Sequence, residues 1–87
     1  MHTDEYEISI TKEIGVCRRF VKQLERALEK REQRHGMTTE SFMQAYEEGR
    51  PENVEDLDGW SKDYRELQYW SKMLRDYEEA LRIAKQL

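Results

Sequence analysis

The sequence has 87 residues, of which 39% are charged and 37% hydrophobic, and its formal net charge is −4. A chain of this length forms one domain at most, and it buries too little surface for more than marginal stability by itself. The negative net charge disfavours a strongly basic nucleic-acid-binding domain. No apolar run approaches the roughly 20 residues that span a bilayer, so we expect no membrane segment.

Few residues in this sequence suggest chemistry at a site. The single cysteine, Cys17, excludes an internal disulfide, is expected in the core, and fits a reducing cytoplasmic location. The acidic segment 1–5 lacks the basic and apolar regions of a secretion signal. His2 and His35 are far apart, no Glu-x-x-His motif is expected to face the interior of a bundle, and there is no glycine-rich phosphate loop or nucleophile motif. We therefore expect a protein that is not an enzyme and that has no cofactor.

The first predicted element is short and ambiguous. Tyr6, Ile8 and Ile10 alternate with polar residues, which is the period of a strand. Because a lone strand has nothing here to pair with, we interpret the stretch as an extended lead-in, with Ser9 or Thr11 as the N-cap of the next helix. A longer first helix stays open as the alternative.

From residue 10 the apolar period changes to that of a helix. The spacing of 4, 3, 4, 3 and 4 residues is a heptad seam, formed by Ile10, Ile14, Cys17, Val21, Leu24 and Leu28. It predicts helix 1 over residues 10–35, with Val16, Phe20 and Ala27 beside the seam. Gly36 is expected to stop this helix in a left-handed conformation, and Met37 follows as its apolar contact.

A short second helix is predicted over residues 39–48. Thr38 or Thr39 suits its N-cap, and Phe42 and Tyr46 give it an apolar side. Gly49 is expected to end it, and an acidic loop is predicted over 49–58.

The third helix, predicted over residues 59–86, has the clearest periodicity in the chain. Its seam consists of Trp60, Tyr64, Leu67, Trp70, Leu74, Tyr77, Leu81 and Ala84. A second set of apolar residues lies beside that seam, namely Tyr69, Met73, Ala80 and Ile83.

Two seams with a period of 3.5 residues are expected to face each other in an antiparallel, coiled-coil-like hairpin of two long helices. The fold class is therefore all-α, with one domain over 1–87 and a short connecting helix. A hairpin buries one stripe per helix, yet each long helix here has additional apolar residues. We expect a second binding event that covers them, either dimerisation into a four-helix bundle or docking on another protein.

A short segment resembles a recurring pattern: His35-Gly36-Met37-Thr38-Thr39-Glu40-Ser41-Phe42, followed by Tyr46 and Gly49. The pattern is similar to that of small helical antitoxin-like proteins of bacteria and archaea, which are encoded beside putative toxins. In those proteins an acidic loop then leads to a helix with an early tryptophan, a place that Trp60 or Trp70 takes here. This chain departs from the family in having His35 where tyrosine is usual. The resemblance implies a non-catalytic protein that neutralises a partner by wrapping it with helices, and it carries over no functional residues.

The periodicity gives six candidate partner-binding residues: Phe20, Phe42, Tyr46, Tyr69, Met73 and Ile83. For each of them the alternative is burial in the core of the chain or of a dimer. The leading hypothesis is thus a protein–protein interaction module that binds a cognate protein such as a toxin. One alternative is a homo-oligomeric helical bundle with a structural or regulatory role. A minor one is nucleic-acid binding by helix 1, where Glu25 and Glu29 interleave with the cations Arg19, Lys22, Arg26 and Lys30.

Overall fold

The computed structural model describes residues 4–49 and 56–86, and within these residues it is entirely helical apart from turns. Helix α1 spans Glu5–His35, α2 spans Thr39–Glu48 and α3 spans Leu57–Gln86. The all-α prediction is confirmed for the part of the chain that is described. The two long helices run antiparallel, and the end of the hairpin where α2 lies is called the closed end below.

The hairpin is long and thin. Its principal dimensions are 59 × 21 × 16 Å and its radius of gyration is 17.2 Å. A compact domain of this length has a radius of gyration of about 12 Å. The shape therefore gives each helix much surface that no other helix of the chain covers.

Helix α1 begins five residues earlier than predicted. Asp4 is its N-cap, and the Asp4 carboxylate accepts a hydrogen bond of 2.7 Å from the amide of Tyr6. The predicted extended lead-in and the caps at Ser9 or Thr11 are wrong, because both residues lie inside the helix. The alternating pattern misled because Tyr6 and Ile10 are also four residues apart, which suits a helix equally well.

The turn between α1 and α2 forms as predicted. Gly36 is left-handed with φ of 62°, and the amides of Gly36 and Met37 both donate to the carbonyl of Glu32, at 2.8 and 3.3 Å. The hydroxyl of Thr38 accepts a hydrogen bond from the amide of Ser41 at 3.1 Å and so caps α2. The predicted bounds of the short helix, 39–48, agree with those of α2.

Helix α3 begins at Leu57, two residues before the predicted start. The amide of Trp60 donates to the carbonyl of Asp56 at 3.0 Å, which closes the first turn. The guanidinium of Arg31 joins α1 to this region, since it bonds the carboxylates of Asp56 at 3.1 Å and Asp63 at 3.3 Å. Most of the predicted acidic loop 49–58, namely residues 50–55, lies outside the described residues.

Burial is uneven between the two long helices. The buried residues of α1 all belong to its predicted seam: Ile10, Ile14, Cys17, Leu24 and Leu28. Among the described residues of α3, only Trp60 and Ser61 are buried, and both lie within the first turn or so of the helix. The rest of the predicted α3 seam is only half-buried, so α1 alone does not cover it.

Candidate interaction surface

The closed end contains the best-packed cluster of the chain, made of Leu28, Phe42, Met43 and Trp60. The indole of Trp60 lies between two rings. Phe42 stacks on it with ring centroids 4.0 Å apart and planes 3° from parallel, and His35 stacks at 5.3 Å. The indole N–H of Trp60 donates to the hydroxyl of Thr39 at 3.1 Å. This cluster fixes the turn and α2 against the two long helices.

Helix α2 covers only one side of the hairpin. Its N-terminal residues Thr39 and Glu40 line a groove of about 390 Å³ together with Glu25 of α1 and Tyr64 of α3. Further along, Met43 lies beside Gln68 in a second groove. Glu25 is five residues after Phe20 and two before Ala27, which places it about 140° and 160° around α1 from them, on the other side of the seam. The side that carries Phe20 is therefore left without α2.

That uncovered side is an apolar strip, which we call the open face. Its residues on α1 are 10, 4 and 7 positions apart in sequence, and those on α3 are 4, 7 and 3 positions apart. These spacings keep each set of residues on one side of its helix. These sides of α1 and α3 adjoin, because the ring of Phe20 stacks on that of Trp70, and Tyr6 and Ile83 line the same cavity. The open face consists of Tyr6, Val16, Phe20 and Ala27 on α1, and Tyr69, Met73, Ala80 and Ile83 on α3.

Three aromatic side chains lie in contact at the middle of the open face. The rings of Phe20 and Trp70 are stacked with centroids 4.5 Å apart, and Tyr69 meets Trp70 edge-on at 5.2 Å. Tyr69 keeps 57% of its surface exposed and Phe20 keeps 40%. Large aromatic groups at a partly exposed position are typical of protein–protein contact sites.

A cavity of about 460 Å³ lies at the end of the hairpin opposite α2, which we call the open end. Its walls are formed mainly by Tyr6, Ala80, Ile83 and Ala84, with the carboxylates of Asp4 and Glu7 at its edge. Ile83 is 48% exposed and Tyr6 57% exposed. The cavity is large enough to accept an apolar side chain from another molecule.

The six candidate partner-binding residues fall into two groups. The structure places Phe20, Tyr69, Met73 and Ile83 on the open face, where Met73 is half-buried and the other three are exposed. Phe42 has no exposed surface, so it belongs to the core, the alternative that the sequence left open. Tyr46 is half-buried at the edge of the closed-end cluster, and its hydroxyl donates to Asp58 at 2.9 Å.

Sequence reasoning missed Tyr6 as a member of the open face and the half-buried Trp70 as the ring on which Phe20 packs. Tyr6 was assigned to an extended segment, and its relation to Phe20, fourteen residues or four helical turns away, becomes visible only when the helix begins at Glu5. Trp70 was placed in the hairpin seam, where it does lie, yet it stays half-buried and carries the ring of Phe20. Tyr6, Phe20 and Ala27 are 14 and 7 residues apart, and this heptad spacing was the sequence signal that places Tyr6 on the same side of α1 as Phe20.

The four candidate nucleic-acid-binding residues are Arg19, Lys22, Arg26 and Lys30, and all four are exposed on α1. Within residues 4–49 and 56–86, none of them is joined to a carboxylate by an ion pair. Glu25 and Glu29 are exposed between them, as the sequence predicts. The result is a surface of mixed sign, which weakens the attraction for a phosphate backbone.

Titratable groups with perturbed chemistry lie away from the open face. Burial raises the pKa of the Cys17 thiol, with a smaller effect in the same direction from the charge of Glu13. A side-chain hydrogen bond from Arg82 lowers the pKa of Glu79 on the exposed outer surface of α3. Among the described residues, no group of three or more histidine, cysteine, aspartate or glutamate side chains is placed to hold a metal ion.

Comparison of the chain with protein-family models, with characterised proteins and with solved structures gave no match. None of the helices in the described part of the chain is long and apolar enough to cross a membrane.

Proposed function

We propose that this chain is a non-catalytic protein–protein interaction module and that its open face binds a partner protein. The observation that carries the proposal is the set of apolar side chains along one side of the hairpin, which includes exposed Phe20, Tyr69 and Ile83 and is interrupted on α1 by Glu13. Burying a large apolar side chain stabilises a complex by roughly 1.5–3 kcal/mol. A surface that leaves several such groups in contact with water marks an interaction site.

The specific form that we propose is antitoxin-like, namely neutralisation of a toxin partner by helical surface. The segment that resembles those proteins forms the closed end, where Gly36 stops α1, Thr38 caps α2 and Phe42 anchors α2 on Trp60. Each of these residues holds the hairpin in shape. The partner-binding role is therefore assigned to the open face and not to the motif itself.

The test is co-expression with the product of the adjacent gene, followed by co-purification and a growth assay. The informative variant is Met73→Glu, which places a charge in the middle of the open face. The matched control is Gln68→Glu, because it adds the same charge to the same helix on the other side. The side-chain amide of Gln68 now donates to the hydroxyl of Tyr64, and in the variant that hydroxyl is able to donate to the new carboxylate instead.

We expect the wild type and Gln68→Glu to co-purify with the partner and to relieve growth inhibition, and Met73→Glu to do neither. Absence of binding by the wild type would reject the antitoxin-like form. Equal binding by both variants would reject the open face as the interface.

Two alternatives use other observations. A homo-oligomeric protein with a structural or regulatory role is favoured by the same apolar strip, since a second copy covers it equally well and completes a four-helix bundle. Nucleic-acid binding is favoured by four cations that have no ion pair within the described part of the chain, Arg19, Lys22, Arg26 and Lys30. A steep, salt-dependent shift with random duplex DNA that is lost in Arg26→Glu would support the latter.

A further inference from the structure

We infer that, without another partner, the open face is covered by a second copy of this chain, which packs antiparallel so that Glu13 of each copy lies against Lys30 of the other. The inference rests on the proposed function in using the same open face. It adds the occupant, its orientation and its register.

The dimensions of the hairpin allow such an interface. One side of the hairpin is 59 Å long and at least 16 Å wide, and the open face, from Tyr6 to Ala27 on α1, takes up about 32 Å of that length. A stable interface of ordinary size buries about 800 Å² on each partner. One side of this hairpin is therefore sufficient, and two hairpins that meet by these sides form a four-helix bundle.

The charges along the open face select the orientation. At the open end its α1 side carries Glu13, with Asp4 at the N-cap. At the closed end the same side carries Lys30 and Arg34, which line one groove with Ala27. Within the described residues none of these four charged groups is in an ion pair. Antiparallel packing sets α1 against α1 of the other copy and so brings the acidic end of each to the basic end of the other, whereas parallel packing sets α1 against α3 and keeps these charges apart.

The register follows from pairing Glu13 with Lys30 of the other copy. The midpoint between these two positions on α1 lies one to two residues after Phe20. On α3 that level lies close to Trp70, which stacks on Phe20, and Met73 lies within one helical turn of Trp70. The twofold axis then passes near Phe20 and Met73, so the aromatic part of the face lies at the centre of the dimer, where burial contributes most.

The test is sedimentation equilibrium of the full chain at concentrations up to about 1 mM, which is sufficient to detect weak dimers. The variants are Glu13→Lys, Lys30→Glu and the double variant Glu13→Lys/Lys30→Glu. The controls, which make the same charge changes on the other side of α1, are Glu25→Lys and Lys22→Glu.

We expect a dimer for the wild type and for both controls, and dissociation constants raised about tenfold or more for each single variant. The double variant is expected to recover the wild-type constant. An equimolar mixture of the two single variants is also expected to dimerise. In the mixed dimer the lysine introduced into one copy meets the glutamate introduced into the other, and the second contact keeps its native Glu13 and Lys30. Recovery in the mixture separates contact between copies from any effect on the fold of one chain.

A wild-type monomer over the whole range would overturn the inference, and so would charge reversals without effect on the dimer. These outcomes are distinct from failure of the proposed function. If the chain is a monomer that still binds the adjacent gene's product through Met73, only the inference of a homodimer is rejected. If the chain is a dimer that binds no partner protein, the proposed heteromeric function is rejected and the inference of a homodimer is retained.

Discussion

Phe20 and Trp70 are stacked across the hairpin with ring centroids 4.5 Å apart, and yet Phe20 keeps 40% of its surface exposed. The stack of Phe42 on Trp60 has the same kind of geometry, but both of those residues have no exposed surface. The first pair lies near the middle of α3 and the second at the closed end, so burial falls from the closed end toward the middle of the helix. The closed-end pair is enclosed by α2 and the turn, and the other pair is left for a covering surface from outside the chain.

The two phenylalanines are expected to differ in their contribution to stability. Phe42→Ala removes a fully buried ring and should lower the free energy of unfolding by about 3–5 kcal/mol. Phe20→Ala removes mainly one ring contact and should lower it by about 1 kcal/mol. Urea denaturation of dilute protein, below the concentration of self-association, measures both. Equal losses would contradict the distinction between core and interface.

The ion pairs of Arg31 and Arg18 offer a second comparison. Arg31 is 22% exposed and holds Asp63, which is 26% exposed, together with Asp56. Arg31→Met leaves a partly buried carboxylate without its cation and should cost about 1–2 kcal/mol of unfolding free energy. Arg18 and Glu78 are more exposed, at 60% and 44%, so Arg18→Met should cost less than about 0.5 kcal/mol. Thermal and urea unfolding of the two variants test this order.

Two glycines, one inside α1 and one at its end, are expected to respond to alanine in opposite directions. Gly36 ends the helix with φ of 62°, where an added Cβ is strained although the space around it is empty, so Gly36→Ala should cost about 1 kcal/mol. Gly15 is inside the helix with no atom within 4 Å of an added Cβ. Gly15→Ala should therefore stabilise the protein by about 0.5–1 kcal/mol. Helical content and urea midpoints measure both effects, and a stabilising Gly36→Ala would be inconsistent with the left-handed stop.

Cys17 is expected to react slowly in the folded protein. It is 1% exposed, and burial raises the pKa of its thiol, so both access and the thiolate fraction are reduced. Alkylation at pH 8 should be slower than in urea-unfolded protein by about a hundredfold or more, because reaction requires local opening. Rapid alkylation without denaturant would show that the α1 seam is not buried.

The sequence was sufficient for the elements whose ends are decided locally. Gly36, Thr38 and Gly49 mark their turns by backbone conformation and capping, so the predicted short helix 39–48 agrees with the structure. The start of α1 was not predicted, because Tyr6, Ile8 and Ile10 fit a strand and a helix about equally over so few residues. Asp4 decides it by capping the amide of Tyr6.

The candidate surface was only partly accessible from sequence. Periodicity shows that Phe20, Met73 and Ile83 lie beside the seams, but it does not show which side α2 covers. That depends on the packing of Phe42 against Trp60, a contact between residues far apart in the chain. For the same reason the sequence did not separate buried Phe42 from exposed Phe20.

The central claim is that another protein chain covers the open face, and fluorine NMR of protein labelled with fluorotryptophan tests it most directly. The chain has two tryptophans, Trp60 at the closed end and Trp70 near the middle of α3, and Trp70→Phe assigns their signals. During titration with the adjacent gene's product, or with increasing concentration of the chain itself, the Trp70 signal is expected to shift while the signal of buried Trp60 stays in place. A complex that forms while the Trp70 signal stays unchanged would contradict the account.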